Sequence, residues 1–209
     1  MSVVGVLLSG GGTNLQALID ATKSEDFPGR IGVVISNRPK AHGLERARVA
    51  GIPAVHIGHR KYPSREAFEE ALTDCLRAHD VEWVACAGFM RILTPTFLAA
   101  WPDRVLNIHP ALLPAFPGVD AQGQAHARGV RVAGATVHFL DPGTDTGPIV
   151  AQAAVPVLPD DDRDALQGRI LEKEHVLYPM CLRMAVEGRL RVVGGRVEVD
   201  LRDGESLLL

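Results

Sequence analysis

The 209-residue sequence has little cysteine, few aromatic residues and no long run of basic residues. Its three cysteines, Cys75, Cys86 and Cys181, lie far apart and form no C-x-x-C pair. This spacing argues against a zinc cluster or a disulfide framework and favours free thiols buried in the core. Free thiols are typical of a reducing compartment, so we expect a cytoplasmic protein.

Segments that would address the chain to a membrane are also missing. Residues 3–8 are apolar, but the run is short, has no basic leader and leads into glycines. We therefore interpret it as a first strand and not as a signal peptide, and no apolar run is long enough to span a bilayer. A formal net charge of −3 argues against a protein that coats nucleic acid. The expected partners are small molecules, without nucleic acid or membrane.

Several motifs of common enzyme classes are incomplete or absent. The stretch SGGGTN at residues 9–14 lacks the third glycine of the dinucleotide fingerprint, because Leu15 stands there, and no Walker lysine follows. No G-x-S-x-G elbow offers a serine nucleophile. No cluster of His, Cys and Asp has metal-ligand spacing, so we predict no metal.

Strands and helices alternate through the first half of the sequence. Apolar runs predict strands at residues 3–8, 31–37, 53–57, 81–88 and 104–108. Helical periodicity lies between them, with Ser64 and Thr94 as capping residues and Pro95 at a first helical position. This alternation predicts an α/β fold that is Rossmann-like, with a mainly parallel central sheet flanked by helices.

The pattern changes after residue 108. A proline-bearing loop leads to a short helix that begins at Asp120 and ends at Gly129, and DPGTDTG joins two further strands. A long helix over residues 162–188 contains Pro179, which should kink it, and a hairpin turns at residues 194–195. We expect the last residues to fray. Residues 1–209 form one predicted domain, with a phosphate-binding half at 1–108 and a catalytic half at 109–200.

The loop SGGGTN predicts a phosphate site. It lies between a strand and a helix, where backbone N–H groups and the helix dipole favour an anion. The alternative is a tight turn that binds nothing, but three glycines followed by Thr13 and Asn14 exceed what a turn requires.

The stretch NIHP at residues 107–110 predicts a catalytic site at the end of the fifth strand. Asn107 and His109 share one side of an extended chain, so their donors can converge on a carbonyl oxygen that becomes an oxyanion. A carboxylate that holds the imidazole would favour its charged form, and the DPGTDTG loop offers Asp141 and, in the better position, Asp145. A purely structural N-x-H is the alternative.

The other histidines are weaker candidates. His138 is predicted to be a hydrogen-bonded core residue, His59 to lie at the surface, and His175 to cap a helix or line the site. Because no side chain resembles a nucleophile, the attacking group would come from the substrate. The residues thus indicate direct acyl transfer by positioning and electrostatics.

Several stretches together resemble one enzyme family. They are LLSGGGTNLQALI, SNRPKAHGLERA, SREAF, CAGFMRIL, LNIHPALLPAFPG, GATVHF, GTDTGPI and EHVLYP. Over residues 3–190 the chain resembles the phosphoribosylglycinamide formyltransferases. The resemblance implies the formyltransferase fold and transfer of a formyl group from 10-formyltetrahydrofolate, as co-substrate, to glycinamide ribonucleotide in purine synthesis. The resemblance does not decide the oligomeric state, and we expect a monomer or a homodimer.

The resemblance also implies roles for particular residues. The catalytic residues would be Asn107, His109 and Asp145. The ribonucleotide would be held by Gly12, Thr13, Asn14 and Glu174. The folate would lie against Arg65, Met90, Arg91, Ile92, Leu93, Asp141 and Thr144, and residues 109–200 would be the folate-binding and catalytic half. The sequence departs from the family pattern at Ala115, Asp120 and Gly123, where many members carry Lys, His and Arg.

Three other functions remain open. A formyltetrahydrofolate deformylase would use the same site with water as acceptor, but it usually has an additional N-terminal domain. A methionyl-tRNA formyltransferase needs a longer chain with a basic C-terminal domain. A non-catalytic sensor of a phosphosugar or nucleotide would need only the glycine loop.

Overall fold

Strands and helices alternate in the computed structural model, which describes residues 1–209. The strands are β1 (Ser2–Leu8), β2 (Gly29–Ser36), β3 (Ala54–His56), β4 (Trp83–Cys86), β5 (Val105–His109), β6 (Val132–Phe139), β7 (Ile149–Pro156), β8 (Leu190–Val193) and β9 (Arg196–Val199). The helices are α1 (Thr13–Thr22), α2 (His42–Val49), α3 (Arg65–Arg77), α4 (Pro95–Ala100), α5 (Ala121–Arg128) and α6 (Arg163–Val186), and a 3-10 helix spans His59–Lys61. The predicted elements are present, with ends displaced by one or two residues.

The central sheet has seven strands in the order β3-β2-β1-β4-β5-β6-β7. The first five are parallel, whereas β6 and β7 are antiparallel to their neighbours. Strands β8 and β9 form the predicted hairpin separately. The mainly parallel sheet is confirmed, and the carboxyl ends of β1 to β5 therefore meet at one edge, where ligands bind in such folds.

Two apolar clusters fix this sheet between its helices. The larger cluster packs α1, α2 and α6 against one face and includes Leu15 and Leu177. The smaller packs α3 and α4 against the other face and includes Phe68 and Phe97. The buried Tyr178 hydroxyl donates to the Cys86 and Leu106 carbonyls at 3.0 and 3.1 Å, and so joins α6 to β4 and β5.

Local capping signals begin two helices where the sequence predicts them. The Ser64 hydroxyl accepts the Ala67 N–H at 3.1 Å at the start of α3. Thr94 accepts the Phe97 N–H at 3.4 Å, with Pro95 at the first position of α4. Both predictions are confirmed, because each side chain satisfies a helix N–H that has no partner within the helix.

Asp120 differs from the prediction. It precedes α5 but makes no capping bond and adopts a left-handed backbone with φ 53°. Its carboxylate instead accepts from Arg163 Nη2 and Nε at 2.7 and 2.8 Å, which links this segment to the start of α6. A Cβ on Gly123 would overlap the Asp120 carboxylate, so the glycine leaves room for this carboxylate.

Two further expectations need correction. Cys86 and Cys181 are buried free thiols, but Cys75 is only half-buried, because it lies on the outer side of α3.

The C-terminal residues do not fray. The Gln152 N–H donates to the Leu207 carbonyl at 2.9 Å and the Leu209 N–H to the Gln152 carbonyl at 3.1 Å, so the tail pairs with β7. None of the helices has both the length and the apolar character needed to cross a bilayer.

Candidate active site

The predicted phosphate loop lies between β1 and the first turn of α1. Gly12 has a φ of 72°, and a Cβ there would lie 2.7 Å from the Gly43 Cα, so the fold itself requires this glycine. Gly10 and Gly11 have ordinary φ values, and a Cβ on either would contact nothing within 4 Å. The fold does not require glycine at these two positions, which leaves room for a ligand to approach the backbone.

Contacts beneath the loop hold it in place. Gly43 N–H donates to the Gly10 carbonyl at 3.1 Å, and Arg46 Nε donates to the Gly11 carbonyl at 2.9 Å. Both bonds are accepted by carbonyls, so they leave the N–H groups of the loop unused. No acidic residue lies in the first turn of α1, so its positive end is not neutralised there.

Asn14 and Glu174 meet beside this loop. Asn14 Nδ2 donates to Glu174 Oε2 at 3.2 Å, although 160 residues separate them. Glu174 is 6% exposed, and burial raises the pKa of its carboxyl to about 7, against the opposing effect of the Asn14 bond. The Asn14 Oδ1 and His175 Nε2 atoms are buried without hydrogen-bond partners. His175 is half-buried on the same helix, and burial lowers its pKa.

The structure brings Asn107, His109 and Asp145 together. His109 Nδ1 lies 3.4 Å from Asp145 Oδ2, which also accepts the Gly118 N–H at 2.7 Å. The His109 side chain is 6% exposed and the Asp145 side chain 13%, so little solvent screens the pair. The end of β5 supplies Asn107 and His109 to this part of the site, and the loop between β6 and β7 supplies Asp145.

His138 joins the same cluster, which the sequence did not indicate. It is fully buried and hydrogen-bonded, but it lies opposite Asn107 in the β5–β6 register. Its Nε2 is 3.1 Å from Asn107 Nδ2 and 3.7 Å from Asp145 Oδ1. Since its Nδ1 contacts the Phe139 carbonyl at 2.9 Å, Nδ1 carries the proton and Nε2 accepts from the amide. Burial lowers the pKa of His138, which agrees with a neutral ring.

Both ring nitrogens of His109 are occupied in this arrangement. Nε2 lies 2.8 Å from the Phe116 carbonyl, and because a carbonyl only accepts, Nε2 must carry a proton. In this conformation the Nε2–H is therefore directed to the Phe116 carbonyl, and donation by His109 to an oxyanion stays a prediction. Asn107 differs, because one of its amide hydrogens is used by His138 and the other has no partner.

The predicted folate residues lie at the same edge of the sheet but differ in exposure. Met90 and Ile92 are 65% and 52% exposed after β4, whereas the Leu93 side chain is buried in the smaller core cluster. Only the backbone of Leu93 can therefore reach a ligand. The Arg91 guanidinium lies 5.6 Å from the Phe68 ring centre, and Arg65 is exposed at the start of α3.

The loop between β6 and β7 is fixed by its own side chains. Asp141 Oδ1 accepts from the Gly143 N–H at 3.0 Å and from the Thr146 hydroxyl at 2.7 Å. These bonds direct the Asp141 carboxylate into its own loop. Thr144 and Asp145 line a small pocket of about 190 Å³, together with Leu113 and Pro117 of the proline-bearing loop. No three His, Cys, Asp or Glu side chains are grouped as metal ligands would be.

Comparison with known proteins agrees with this fold. A family model described as formyl transferase matches residues 2–182, so the class of protein is a formyl transferase. Phosphoribosylglycinamide formyltransferase of Bacillus subtilis is 41% identical over 88% of this chain and 94% of its own length. Glycinamide ribonucleotide transformylase 1 from Symbiobacterium toebii superimposes with a TM-score of 0.93, at 53% identity over 95% of this chain and 94% of that one.

The trifunctional purine biosynthetic protein adenosine-3 of Drosophila melanogaster is 49% identical over 88% of this chain. The chain spans only 14% of that relative's length. The full-length matches decide the narrower assignment: the chain belongs to the phosphoribosylglycinamide formyltransferase family.

Proposed function

We propose that this protein transfers the formyl group of 10-formyltetrahydrofolate to the amine of glycinamide ribonucleotide. The observation that carries the proposal is the cluster of Asn107, His109 and Asp145 at the sheet edge that also bears the glycine loop. An amide and an imidazole close to a carboxylate suit a reaction in which a carbonyl oxygen becomes negative and a proton must move. We further propose small-molecule partners only and a cytoplasmic location.

In the proposed reaction the substrate's neutral amine attacks the formyl carbon directly. The free N–H of Asn107 would donate to the developing oxyanion, and His109 would add a second donor. Asp145 would accept the proton that leaves the attacking amine and pass it towards the departing folate nitrogen. The C–N bond to the folate then breaks as the new amide bond remains, so no covalent enzyme intermediate is needed.

For His109 to donate, its Nε2–H must exchange the Phe116 carbonyl for the formyl oxygen. We infer that donor binding displaces the Phe116 carbonyl while the 3.4 Å contact with Asp145 is kept. The exchange replaces one hydrogen bond with another, so its net cost is small.

The remaining roles follow the family resemblance and the placements above. The N–H groups of Gly12, Thr13 and Asn14 would hold the ribonucleotide phosphate, with Glu174 near the ribose or glycinamide part. The folate would lie against Arg65 and the segment Met90, Arg91, Ile92 and Leu93, with Asp141 and Thr144 closing the site from the opposite loop.

An absorbance assay that follows loss of the formyl group from the donor tests the proposal. We expect turnover only when glycinamide ribonucleotide is present, with formylated amine formed in equal amount. Turnover without the amine, giving formate, would instead assign a hydrolase. No turnover in either mixture, with ribonucleotide still bound, would assign a phosphosugar sensor.

A further inference from the structure

Three side chains stand in one row across strands β5, β6 and β7. His109 lies opposite Thr136 in the β5–β6 register, and Thr136 lies opposite Gln152 in the β6–β7 register. Directly opposite residues on neighbouring strands point to the same side of a sheet, so all three side chains share one face. Gln152 is therefore separated from the His109 imidazole by a single strand.

The Gln152 amide uses both of its N–H hydrogens in this row. Nε2 donates to the Leu113 carbonyl and to the Thr136 hydroxyl, each at 3.0 Å. The Thr136 hydroxyl also accepts the Leu113 N–H at 3.0 Å and donates to the Ala111 carbonyl at 2.7 Å. A hydroxyl has one hydrogen and two lone pairs, so every hydrogen-bonding position of Thr136 is filled. The two side chains together hold the main chain of residues 111–113.

This network is shielded from solvent. Thr136 is fully buried, Ala111 and Leu113 are buried, and Gln152 is half-buried at the edge of the network. Water competes little for hydrogen bonds in such surroundings, and a buried carbonyl that loses its donor is costly to the fold. The main chain directly after β5 therefore has one well-defined path.

That path begins the connection which completes the active site. Leu113 lines the small pocket beside Asp145. Further along the connection, the Phe116 carbonyl contacts His109 Nε2 at 2.8 Å, and the Gly118 N–H donates to Asp145 Oδ2 at 2.7 Å. A displacement at the start of the connection would therefore move both of these contacts.

The main chain of Gln152 is itself held on both sides. Strand β6 pairs with it on one side. On the other side its N–H donates to the Leu207 carbonyl at 2.9 Å, and its carbonyl accepts the Leu209 N–H at 3.1 Å. The buried Arg189 anchors this tail, because its Nη1 donates to Glu205 Oε1 at 3.1 Å. The Gln152 amide thus reaches across β6 from a main chain that has little freedom to move.

We propose that Gln152 is a positioning residue for formyl transfer. It acts through Leu113 and Thr136, and it sets the path of the connection that holds His109 and Asp145. The effect on the reaction rests on the proposed function, whereas the link from Gln152 to His109 does not depend on any activity. Misplacement of reacting groups slows the chemical step, and the phosphate loop at the end of β1 lies outside this network.

Steady-state kinetics of Gln152→Met test the role. Methionine has nearly the same length and no N–H, and the position is half-buried, so the variant should fold. We expect kcat to fall about tenfold or more and the KM of the formyl donor to rise, while the KM of the ribonucleotide stays unchanged. A glutamine that only stabilised the fold would lower the melting temperature and leave kcat as it is.

The matched control is Thr73→Val. Thr73 is buried between α3 and the end of α4, where its hydroxyl accepts from Trp101 Nε1 at 3.4 Å. This variant also loses a buried side-chain hydrogen bond, but one that does not contact the connection. We expect it to be less stable than the unaltered protein and to keep its kcat.

Nuclear magnetic resonance tests the link without any catalytic readout. In protein with ¹⁵N-labelled imidazoles, the His109 signals, assigned by their loss in His109→Gln, report the surroundings of both ring nitrogens. We expect Gln152→Met to shift these signals and Thr73→Val to leave them in place. Gln152→Glu has almost the shape of the native residue and no N–H, and it repeats both measurements if the methionine variant does not fold.

An unchanged kcat in a folded Gln152 variant of the active protein would overturn the proposal. An equal loss of kcat in Thr73→Val would do the same, because the effect would then come from stability alone. If the His109 signals shift as expected but the unaltered protein transfers no formyl group, the proposed function fails and the structural link from Gln152 to His109 stands.

Discussion

Asp145 has a left-handed backbone with φ 55°, a conformation that aspartate tolerates better than most residues. The conformation lets one oxygen, Oδ2, face both the Gly118 N–H and His109 Nδ1. The neutral amide of asparagine has almost the same shape and can keep the bond to Gly118. It cannot accept a proton or stabilise a charged imidazole.

We therefore predict that Asp145→Asn lowers kcat by about 10²-fold or more, as expected when a proton-transfer group is lost. The melting temperature should change little, because the Gly118 contact survives. Steady-state kinetics and thermal unfolding measure the two effects, with Asp203→Asn, which is exposed and makes no side-chain hydrogen bond, as the control. A kcat close to that of the unaltered protein would remove Asp145 from the mechanism.

Glu174 illustrates the opposite case, a buried carboxyl whose environment disfavours its charge. Its folded pKa of about 7 lies above the ordinary value of 4.5 for a glutamate, so the folded state holds the proton more tightly than the unfolded state. Between these values the unfolded chain binds fewer protons, and the free energy of unfolding falls as pH rises. The charged Glu174 carboxylate thus destabilises the protein above about pH 7, whereas the protonated carboxyl at low pH does not.

We predict that Glu174→Gln is more stable than the unaltered protein at about pH 8, by up to about 3 kcal/mol, but not at about pH 4. Glutamine keeps an acceptor for Asn14 and carries no charge at either pH. Urea unfolding at both pH values gives the comparison, with Glu172→Gln, exposed on the same helix, as the control. An equal stability difference at the two pH values would contradict the folded pKa.

At the scale of elements, α6 carries Glu174 and begins at a single capping residue. Asp162 Oδ1 accepts the Ala165 N–H at 2.7 Å. We predict that Asp162→Ala lowers the free energy of unfolding by about 1 kcal/mol, since one helix N–H loses its partner. Denaturant unfolding measures it, and Asp160→Ala, two residues earlier and outside the helix, should have almost no effect. Equal losses would mean that Asp162 acts through its charge alone.

Elements that depend on neighbouring residues could be predicted from the sequence. The starts of α3 and α4 follow from Ser64 and Thr94, because a cap is decided within four residues. The parallel half of the sheet follows from the alternation of apolar runs and amphipathic segments. The grouping of Asn107, His109 and Asp145 could also be predicted, since residue pattern and family resemblance named the same three side chains, and their chemical roles stay a prediction.

Contacts that depend on the pairing of distant segments were not predictable. His138 reaches Asn107 because β6 is antiparallel to β5 in one register, and no local pattern specifies that register. The Phe116 carbonyl contacts His109 from a left-handed backbone with φ 54°, which no residue type in this stretch indicates. Asp120 has the residue type of a helix cap, but the more distant Arg163 competes successfully for its carboxylate.

At the scale of the whole molecule, the sheet ends in strand β7, and the C-terminal tail covers part of that edge. Backbone bonds join Leu207 and Leu209 to Gln152 and Ala154. An uncovered edge offers free N–H and C=O groups to a second chain. The tail therefore limits contact between copies of the protein at this edge.

We predict that deleting residues 206–209 produces larger species than the unaltered protein in sedimentation velocity, more so at higher concentration. Leu208→Ala is the control, because Leu208 is 65% exposed and its N–H donates to Ser206 and not to β7. Identical sedimentation of the deletion variant and the unaltered protein would show that the edge is blocked by other means.

The connection between β5 and β6 holds the proline-bearing loop and α5. What that connection gives the catalytic cluster is a main-chain carbonyl at Phe116 and a main-chain N–H at Gly118. Both groups belong to the main chain, and both residues have a left-handed backbone, with φ 54° at Phe116 and φ 82° at Gly118. The catalytic cluster therefore depends on the path of this turn more than on the side chains that the turn carries.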